Sequence, residues 1–111
     1  MEYLKIIAFT HKQIDLKSLG KLVICEHTLD DRLRNIQSEL DIKEIFYVGT
    51  CNRVEFVFTS PHHIDKAFIH RFLTVLDMGL PEAYMEQFVD NVSAYEQLEA
   101  FKHLLRTSCS L

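Results

Sequence analysis

The segment EIFYVGTCNRVEFVFT, residues 44–59, places two strands next to each other in the chain. Apolar side chains stand at every second position from Val54 to Phe58, and a period of two is typical of a strand. The intervening residues 49–52 are too few for the crossover that parallel strands need, so they predict an antiparallel hairpin or a bulge. The segment therefore predicts two strands, over residues 44–49 and 52–59.

The rest of the chain supplies two more strands and several helices. A short apolar, β-branched run predicts a first strand that is buried on both faces, residues 3–10. Helical spacing of apolar residues predicts helices over about residues 16–24, 29–40 and 61–77, with Thr28 as the N-cap of the second and Ser60-Pro61 at the start of the third. Residues 88–92 predict a short fourth strand. Ser93-x-x-Glu96 predicts the start of a last helix, with an apolar stripe of Tyr95, Leu98, Phe101 and Leu105.

This order of elements predicts an α+β domain. It is close to the ferredoxin-like, split βαβ sandwich, an antiparallel sheet with helices on one face, to which a C-terminal helix is added. The length of 111 residues suits one domain, and the 48% of hydrophobic residues argues against disorder. The net charge of −4 gives no general attraction to nucleic acid, so such a partner must be bound locally or by another part of the protein.

Cellular location and metal content follow from what the sequence lacks. It has neither an export signal nor the ~20 apolar residues that span a membrane, so we expect a cytoplasmic protein with no membrane contact. The cysteines, Cys25, Cys51 and Cys109, are then reduced thiols. No cysteines and histidines stand at the spacing of a zinc site, and no structural metal is expected.

The predicted turn, GTCNRVE at residues 49–55, concentrates reactive and polar side chains. Arg53 favours the thiolate form of Cys51, which is the nucleophilic form, and its guanidinium suits a substrate carboxylate. Thr50 and Asn52 can donate hydrogen bonds to a substrate. The residues alone leave three interpretations open: a nucleophilic site, a non-catalytic ferredoxin-like binding module in which Cys51 is packing, and a thiol redox sensor.

Thr50-Cys51-Asn52-Arg53-x-Glu55 resembles the TCNRxE signature of the glutamyl-tRNA reductase family. Two more segments agree with that family in order and spacing. Phe9-Thr10-His11-Lys12 is similar to the end of the family's first strand, with its N-H-K motif, and residues 100–106, AFKHLLR, are similar to its His-Leu helix. The chain departs from the family pattern at Gly49, usually Ser, at residues 13–15, usually Thr-Ala-Pro, and at Ser110, near an expected Gly.

The resemblance implies that residues 1–111 form a single N-terminal catalytic domain, a fragment of a longer chain whose NADPH-binding and dimerisation domains are absent here. It implies an enzyme that acts on glutamyl-tRNA(Glu), with NADPH as cofactor of the full-length protein, which would be a homodimer. A cysteine thiolate attacks the aminoacyl ester to give a thioester, and NADPH reduces the thioester to glutamate-1-semialdehyde in tetrapyrrole biosynthesis. The chain has no GxGxxG motif, which fits a missing nucleotide-binding domain, so the fragment is not expected to complete the reduction.

The resemblance also implies roles for individual residues. Cys51 is the nucleophile, and His103 lies near it, protonating the leaving tRNA hydroxyl or shaping the pocket. On residue positions alone, His103 lies off the predicted apolar stripe and faces either a cleft or water. Substrate binding is assigned to six residues: His11, Lys12, Thr50, Asn52, Arg53 and Glu55.

Overall fold

A computed structural model describes residues 3–50 and 52–109, without the side chains of residues 108 and 109. Its strands are β1 (Leu4–Thr10), β2 (Ile45–Gly49), β3 (Arg53–Thr59) and β4 (Ser93–Glu96). Its helices are α1 (Leu16–Leu19), which continues into a 3₁₀ turn (Gly20–Leu22), α2 (Glu26–Leu40), α3 (Lys66–Leu76), α4 (Glu82–Asn91) and α5 (Gln97–Cys109). This is the predicted α+β class with its C-terminal helix.

The four strands form one sheet in the order β2-β3-β1-β4, and every neighbouring pair is antiparallel. The predicted hairpin is confirmed, because β2 pairs with β3 from Ile45↔Phe58 to Gly49↔Val54. β1 lies at the centre and pairs with β3 along its whole length. Its interior is buried from residue 5 to residue 9, as predicted for a strand covered on both faces.

The two faces of the sheet are covered by different helices. Side chains of β1 and β3 such as Phe9 and Phe56 point into the main core, which α1 to α4 complete with buried residues such as Ile36, Phe72 and Phe88. The opposite face has a smaller cluster. There Ile6 and Val57 pack with Ala100 of α5.

The predicted fourth strand over residues 88–92 is wrong, because these residues belong to the end of α4 and the linker after it. Phe88 instead packs its ring edge-on against Phe9, with 5.7 Å between ring centroids. The fourth strand is Ser93–Glu96, where the sequence predicted a helix start. Its pairing with β1, Lys5↔Glu96 to Ala8↔Ser93, joins residues about ninety positions apart, and such a contact overrides local pattern.

Two predicted helix starts are also wrong. α2 begins at Glu26 after Cys25, and the Thr28 hydroxyl donates to the Cys25 carbonyl from within the first turn. α3 begins at Lys66, with Asp65 accepting from the Phe68 N–H, and not after Ser60-Pro61.

The predicted apolar stripe of the last helix is not its packing face. Leu98, Phe101 and Leu105 are exposed, while Ala100 and His103 face the sheet. The fourth member of that stripe, Tyr95, lies on β4. Within residues 3–50 and 52–109, no helix combines the length and the apolar character that crossing a membrane requires.

A buried lysine ties β4 to the centre of the sheet. Lys5 is 4% exposed, and its Nζ donates to Glu96 Oε1 at 2.7 Å. The other oxygen of Glu96 lies 2.9 Å from Nδ1 of His63. Partial burial works to raise the pKa of Glu96, but the hydrogen bond and charge of Lys5, together with His63, hold that pKa below its ordinary value.

We expect Glu96→Gln to lower the free energy of unfolding by about 2–3 kcal/mol near neutral pH, because it leaves the Lys5 ammonium buried without its carboxylate. Urea denaturation measures the effect. A glutamate whose pKa is depressed in the folded state stabilises the fold at pH values above its unfolded pKa of about 4.3. That stabilisation is lost as the pH falls through the folded pKa. The gap between wild type and variant should therefore close in acid.

The matched control is Asp90→Asn, which breaks an exposed pair with Lys66. This change should have little effect at any pH, since exposed ion pairs contribute little. Equal losses in the two variants would contradict the importance assigned to Lys5 and Glu96.

Candidate active site

Two chain reversals meet at one end of the sheet. β1 ends where β3 begins, because Thr10 pairs with Arg53 in the antiparallel register. The Thr50 N–H donates to the Arg53 carbonyl at 2.8 Å and closes the turn between β2 and β3. The His11 N–H donates to the Asn52 carbonyl at 2.9 Å, so the loop after β1 is bonded to that turn. Sheet pairing thus brings together two motifs that are about forty residues apart in sequence.

A buried ion network lies just below this turn. Arg53 and Glu55 stand two residues apart on β3 and so share one face of the sheet. Arg53 Nε donates to Glu55 Oε2 at 3.0 Å, and Glu55 Oε1 lies 2.6 Å from Nε2 of His103. The side chains of Glu55 and His103 are 7% and 11% exposed, whereas that of Arg53 is 29% exposed. The network therefore extends from the buried Glu55 and His103 to Arg53, which reaches solvent.

α5 supplies the histidine because it packs on the face of the sheet that contains Glu55. Ala100 is fully buried there, and His103 follows three residues later on the same side of the helix. The Tyr95 ring of β4 stacks on the His103 ring, with centroids 4.1 Å apart and planes 14° from parallel. Residue positions alone predict that His103 faces either a cleft or water; in the structure it is enclosed by Glu55 and Tyr95.

Tyr95 is a member of this cluster that the sequence pattern did not predict. In a helix, Tyr95 would lie eight residues, more than two turns, from His103, which is too far for the two rings to stack. Its place on β4 opposite Ile6 makes the stacking possible. Ser93 and Tyr95 alternate with a smaller and a charged residue, and such alternation is the signal of a strand. A run of four residues is too short for this signal to identify a strand.

The other predicted site residues lie at the same end of the sheet. Thr50 and Asn52 are exposed in the turn, where the Asn52 N–H donates to Thr50 Oγ1 at 3.3 Å. His11 and Lys12 are exposed in the loop after β1. Cys51, the predicted nucleophile, lies outside the described residues. The structure therefore brings seven of the eight predicted residues to one region, and the roles assigned to them stay predictions.

Gly49 is required by the way Tyr47 is placed. The Ile24 N–H donates to the Tyr47 hydroxyl at 3.0 Å, and the Tyr47 ring packs on Phe56 with 5.4 Å between centroids. A Cβ on Gly49 would meet that hydroxyl and lie only 2.6 Å from Cζ of the ring. Serine, which is usual at this position in the family that the chain resembles, therefore cannot replace Gly49 unless Tyr47 moves.

We expect Gly49→Ser to lower the free energy of unfolding by about 1–3 kcal/mol, because it overpacks the ring of Tyr47. In a Tyr47→Leu background the same Gly49→Ser change should cost less, since the shorter side chain at residue 47 removes the clash. Urea denaturation of the single and double variants measures both effects. A Gly49→Ser protein as stable as wild type would show that Tyr47 moves freely.

The fold and the site together define an α+β domain with an arginine–glutamate–histidine network at one end of its sheet. Residues 7–111 match the family model described as the N-terminal domain of glutamyl-tRNAGlu reductase, so the chain belongs to that family. This confirms the family that the sequence signature predicted.

Relatives support the match along the chain. The glutamyl-tRNA reductase of Campylobacter curvus is 32% identical over 100% of this chain and 25% of its own length. That of Synechococcus sp. is 27% identical over 98% of this chain and 24% of its own length. The chain thus spans about a quarter of the length of the curated relatives it matches. The solved reductase from Methanopyrus kandleri, 22% identical with a TM-score of 0.60, covers 96% of this chain and has the same fold; the match covers 22% of that reductase.

Proposed function

We propose that this chain is the catalytic part of a glutamyl-tRNA reductase, with Cys51 as its nucleophile. The observation that supports this most directly is the network of Arg53, Glu55 and His103 beside the turn. Cys51 is covalently joined to Thr50 and Asn52, the exposed residues of that turn. A cation and an imidazole are the groups that activate a thiol and assist its attack on an acyl carbon.

In the proposed reaction the Cys51 thiolate attacks the carbonyl carbon of the ester between glutamate and the tRNA 3′ end. A carbon–sulfur bond forms, the ester carbon–oxygen bond breaks, and the tRNA oxygen leaves with a proton. His103 is proposed to supply that proton, which is the commonest role of an active-site imidazole. The product of this half-reaction is a thioester between glutamate and Cys51.

Arg53 is proposed to bind the side-chain carboxylate of glutamate. Glu55 occupies Nε of the guanidinium, which leaves the edge formed by the two Nη atoms for a second carboxylate. With 29% of its side chain exposed, Arg53 is the member of the network that a substrate can reach. Thr50 and Asn52 are proposed to donate hydrogen bonds to the same substrate. His11 and Lys12, bonded to the turn through the His11 N–H, are proposed to lie near the tRNA terminus.

The reduction step needs a hydride donor. NADPH is the cofactor that the family resemblance implies; when bound, it would supply a hydride to the thioester carbon, and release of the Cys51 thiolate would then give glutamate-1-semialdehyde. No GxGxxG motif is present in the 111 residues, so we propose that a separate domain of the complete enzyme binds NADPH. A homodimeric complete enzyme and a cytoplasmic location stay predictions.

We also propose that the domain has the ferredoxin-like fold. The strand order β2-β3-β1-β4, antiparallel throughout, supports this, as does the placement of β3 between β1 and β2. That arrangement is what a split βαβ unit produces.

We expect iodoacetamide to alkylate Cys51 faster than Cys25 near neutral pH, because Cys51 is two residues from Arg53 in the sequence and a nearby cation favours the reactive thiolate. Peptide mass spectrometry of the chain, quenched at intervals, gives the two rates. Cys25 is a demanding control, since it is exposed. Equal rates would favour the alternative, a non-catalytic binding module.

In the complete enzyme, Cys51→Ser should abolish the thioester with glutamyl-tRNA, and Cys25→Ser should not. The thioester is trapped by acid quench in the absence of NADPH and detected by mass as a glutamyl adduct. Full turnover by the Cys51→Ser enzyme would overturn the assignment of the nucleophile.

We expect Arg53→Lys to raise the KM for glutamyl-tRNA by roughly tenfold or more, because an ammonium cannot replace the planar two-pronged contact to a carboxylate. The matched control is Arg34→Lys on α2, an exposed arginine paired with Asp31. Steady-state kinetics of the complete enzyme compares the two. Unchanged kinetics for Arg53→Lys would remove Arg53 from the proposed site.

A further inference from the structure

The carboxylate of Glu55 has both of its oxygens occupied by side chains from different elements. Oε1 lies 2.6 Å from Nε2 of His103 on α5, and Oε2 accepts from Nε of Arg53 on β3. Only 7% of the Glu55 side chain is exposed. A carboxylate that is enclosed and already has a partner on each oxygen is poorly placed to bind a substrate, which is the role that the family resemblance implied for it.

We infer that Glu55 is a positioning residue that fixes the Arg53 guanidinium and the His103 imidazole relative to each other. The inference rests on the proposed function, because that function assigns these two side chains their roles. It replaces the predicted contact between Glu55 and substrate with an action through Arg53 and His103.

Glu55 determines which nitrogen of His103 has the proton. An ionised carboxylate only accepts hydrogen bonds, so Nε2 at 2.6 Å must be the donor. In the neutral ring this leaves Nδ1 as the unprotonated nitrogen. Stacking against Tyr95, with the ring planes 14° apart, restrains the ring from tilting away from the carboxylate.

The consequence for the proposed reaction is that Nδ1 of His103 is the atom that exchanges a proton. The imidazolium gives its Nδ1 proton to the departing tRNA oxygen, and the ring returns to the neutral form with its proton on Nε2. Glu55 keeps its charge throughout and stabilises the imidazolium. An orienting carboxylate behind a histidine acts in this way in hydrolase triads.

The same carboxylate orients Arg53. By engaging Nε, Glu55 fixes the plane of the guanidinium and directs the edge with the two Nη atoms away from itself. A single buried charge therefore holds the carboxylate-binding group and the proton-exchanging group in one geometry.

The first test is spectroscopic and needs no activity. The chain is labelled with ¹⁵N-histidine, its ring nitrogens are observed by long-range ¹H–¹⁵N correlation at a pH where the ring is neutral, and His103→Gln identifies the signals. In wild type, neutral His103 should have its proton on Nε2 alone. In Glu55→Met, which has no acceptor, both tautomers should be populated.

Two further variants keep this test decisive. Glu99→Gln, an exposed change on the same helix, should leave the tautomer of His103 unchanged. If the spectrum of Glu55→Met shows that it does not fold, Glu55→Gln replaces it, because an amide can both donate and accept and so no longer enforces one tautomer. A wild-type His103 with its proton on Nδ1, or a tautomer that neither variant alters, overturns the inference.

The second test is kinetic and uses the complete enzyme. Glu55→Gln should lower kcat by no more than the removal of His103 does, a range of about 10²–10⁴-fold for acid–base groups. In the background of His103→Asn with Arg53→Lys, Glu55→Gln should lower kcat almost no further, because the imidazole and the guanidinium that Glu55 positions are gone. An equal fold-loss in both backgrounds would mean that Glu55 acts on the substrate directly.

The two tests separate this inference from the proposed function. If the tautomer depends on Glu55 but the complete wild-type enzyme forms no thioester, the proposed function fails and the positioning of His103 stands. If the thioester forms and the tautomer is indifferent to Glu55, the positioning role fails and the proposed function stands.

Discussion

A charge buried on the sheet is the constraint on which this domain is built. An ionised carboxylate that loses its water is destabilising by several kcal/mol unless charged or hydrogen-bonding groups replace that water. The side chain of Glu55 is 7% exposed, and Arg53 and His103 supply the replacement from a strand and from a helix. Removing either donor would leave a buried charge half satisfied. The position of α5 on the sheet is therefore coupled to the charge on β3.

That coupling explains the face that α5 presents to the sheet. Counting apolar residues predicts Leu98, Phe101 and Leu105 as the buried stripe, yet these side chains are 53%, 37% and 49% exposed. The helix is rotated so that Ala100 and His103 face inward instead. Helical periodicity measures hydrophobicity only, so it cannot anticipate a helix whose inward face includes a histidine that is hydrogen-bonded to a buried carboxylate. The local pattern fails here because the site prevails over it.

What the sequence could predict is what local chemistry determines. The hairpin followed from alternation and a link too short for a crossover, and the signature at residues 50–55 predicted the family. The fourth strand could not be found locally, because Ser93–Glu96 is held by pairing with β1 and by the Lys5–Glu96 ion pair. Tyr95 was missed for the same reason. The link between Glu55 and His103 spans 48 residues, and no pattern in the sequence specifies such a contact.

The members of the network differ in exposure because α5 covers only part of this face of the sheet. The helix packs over β1 and β4 and contacts Val57 of β3. On β2 the side chains Phe46 and Val48, which face the same way as Glu55, are 53% and 42% exposed. On the covered side His103 is enclosed by Tyr95, and on the open side Arg53 reaches solvent. Low dielectric strengthens the Glu55–His103 contact, while access is left at the guanidinium. Under the proposed function, the carboxylate of a substrate arriving over β2 would therefore meet the cation first, and the ester of that substrate would reach the imidazole only once the carboxylate is bound.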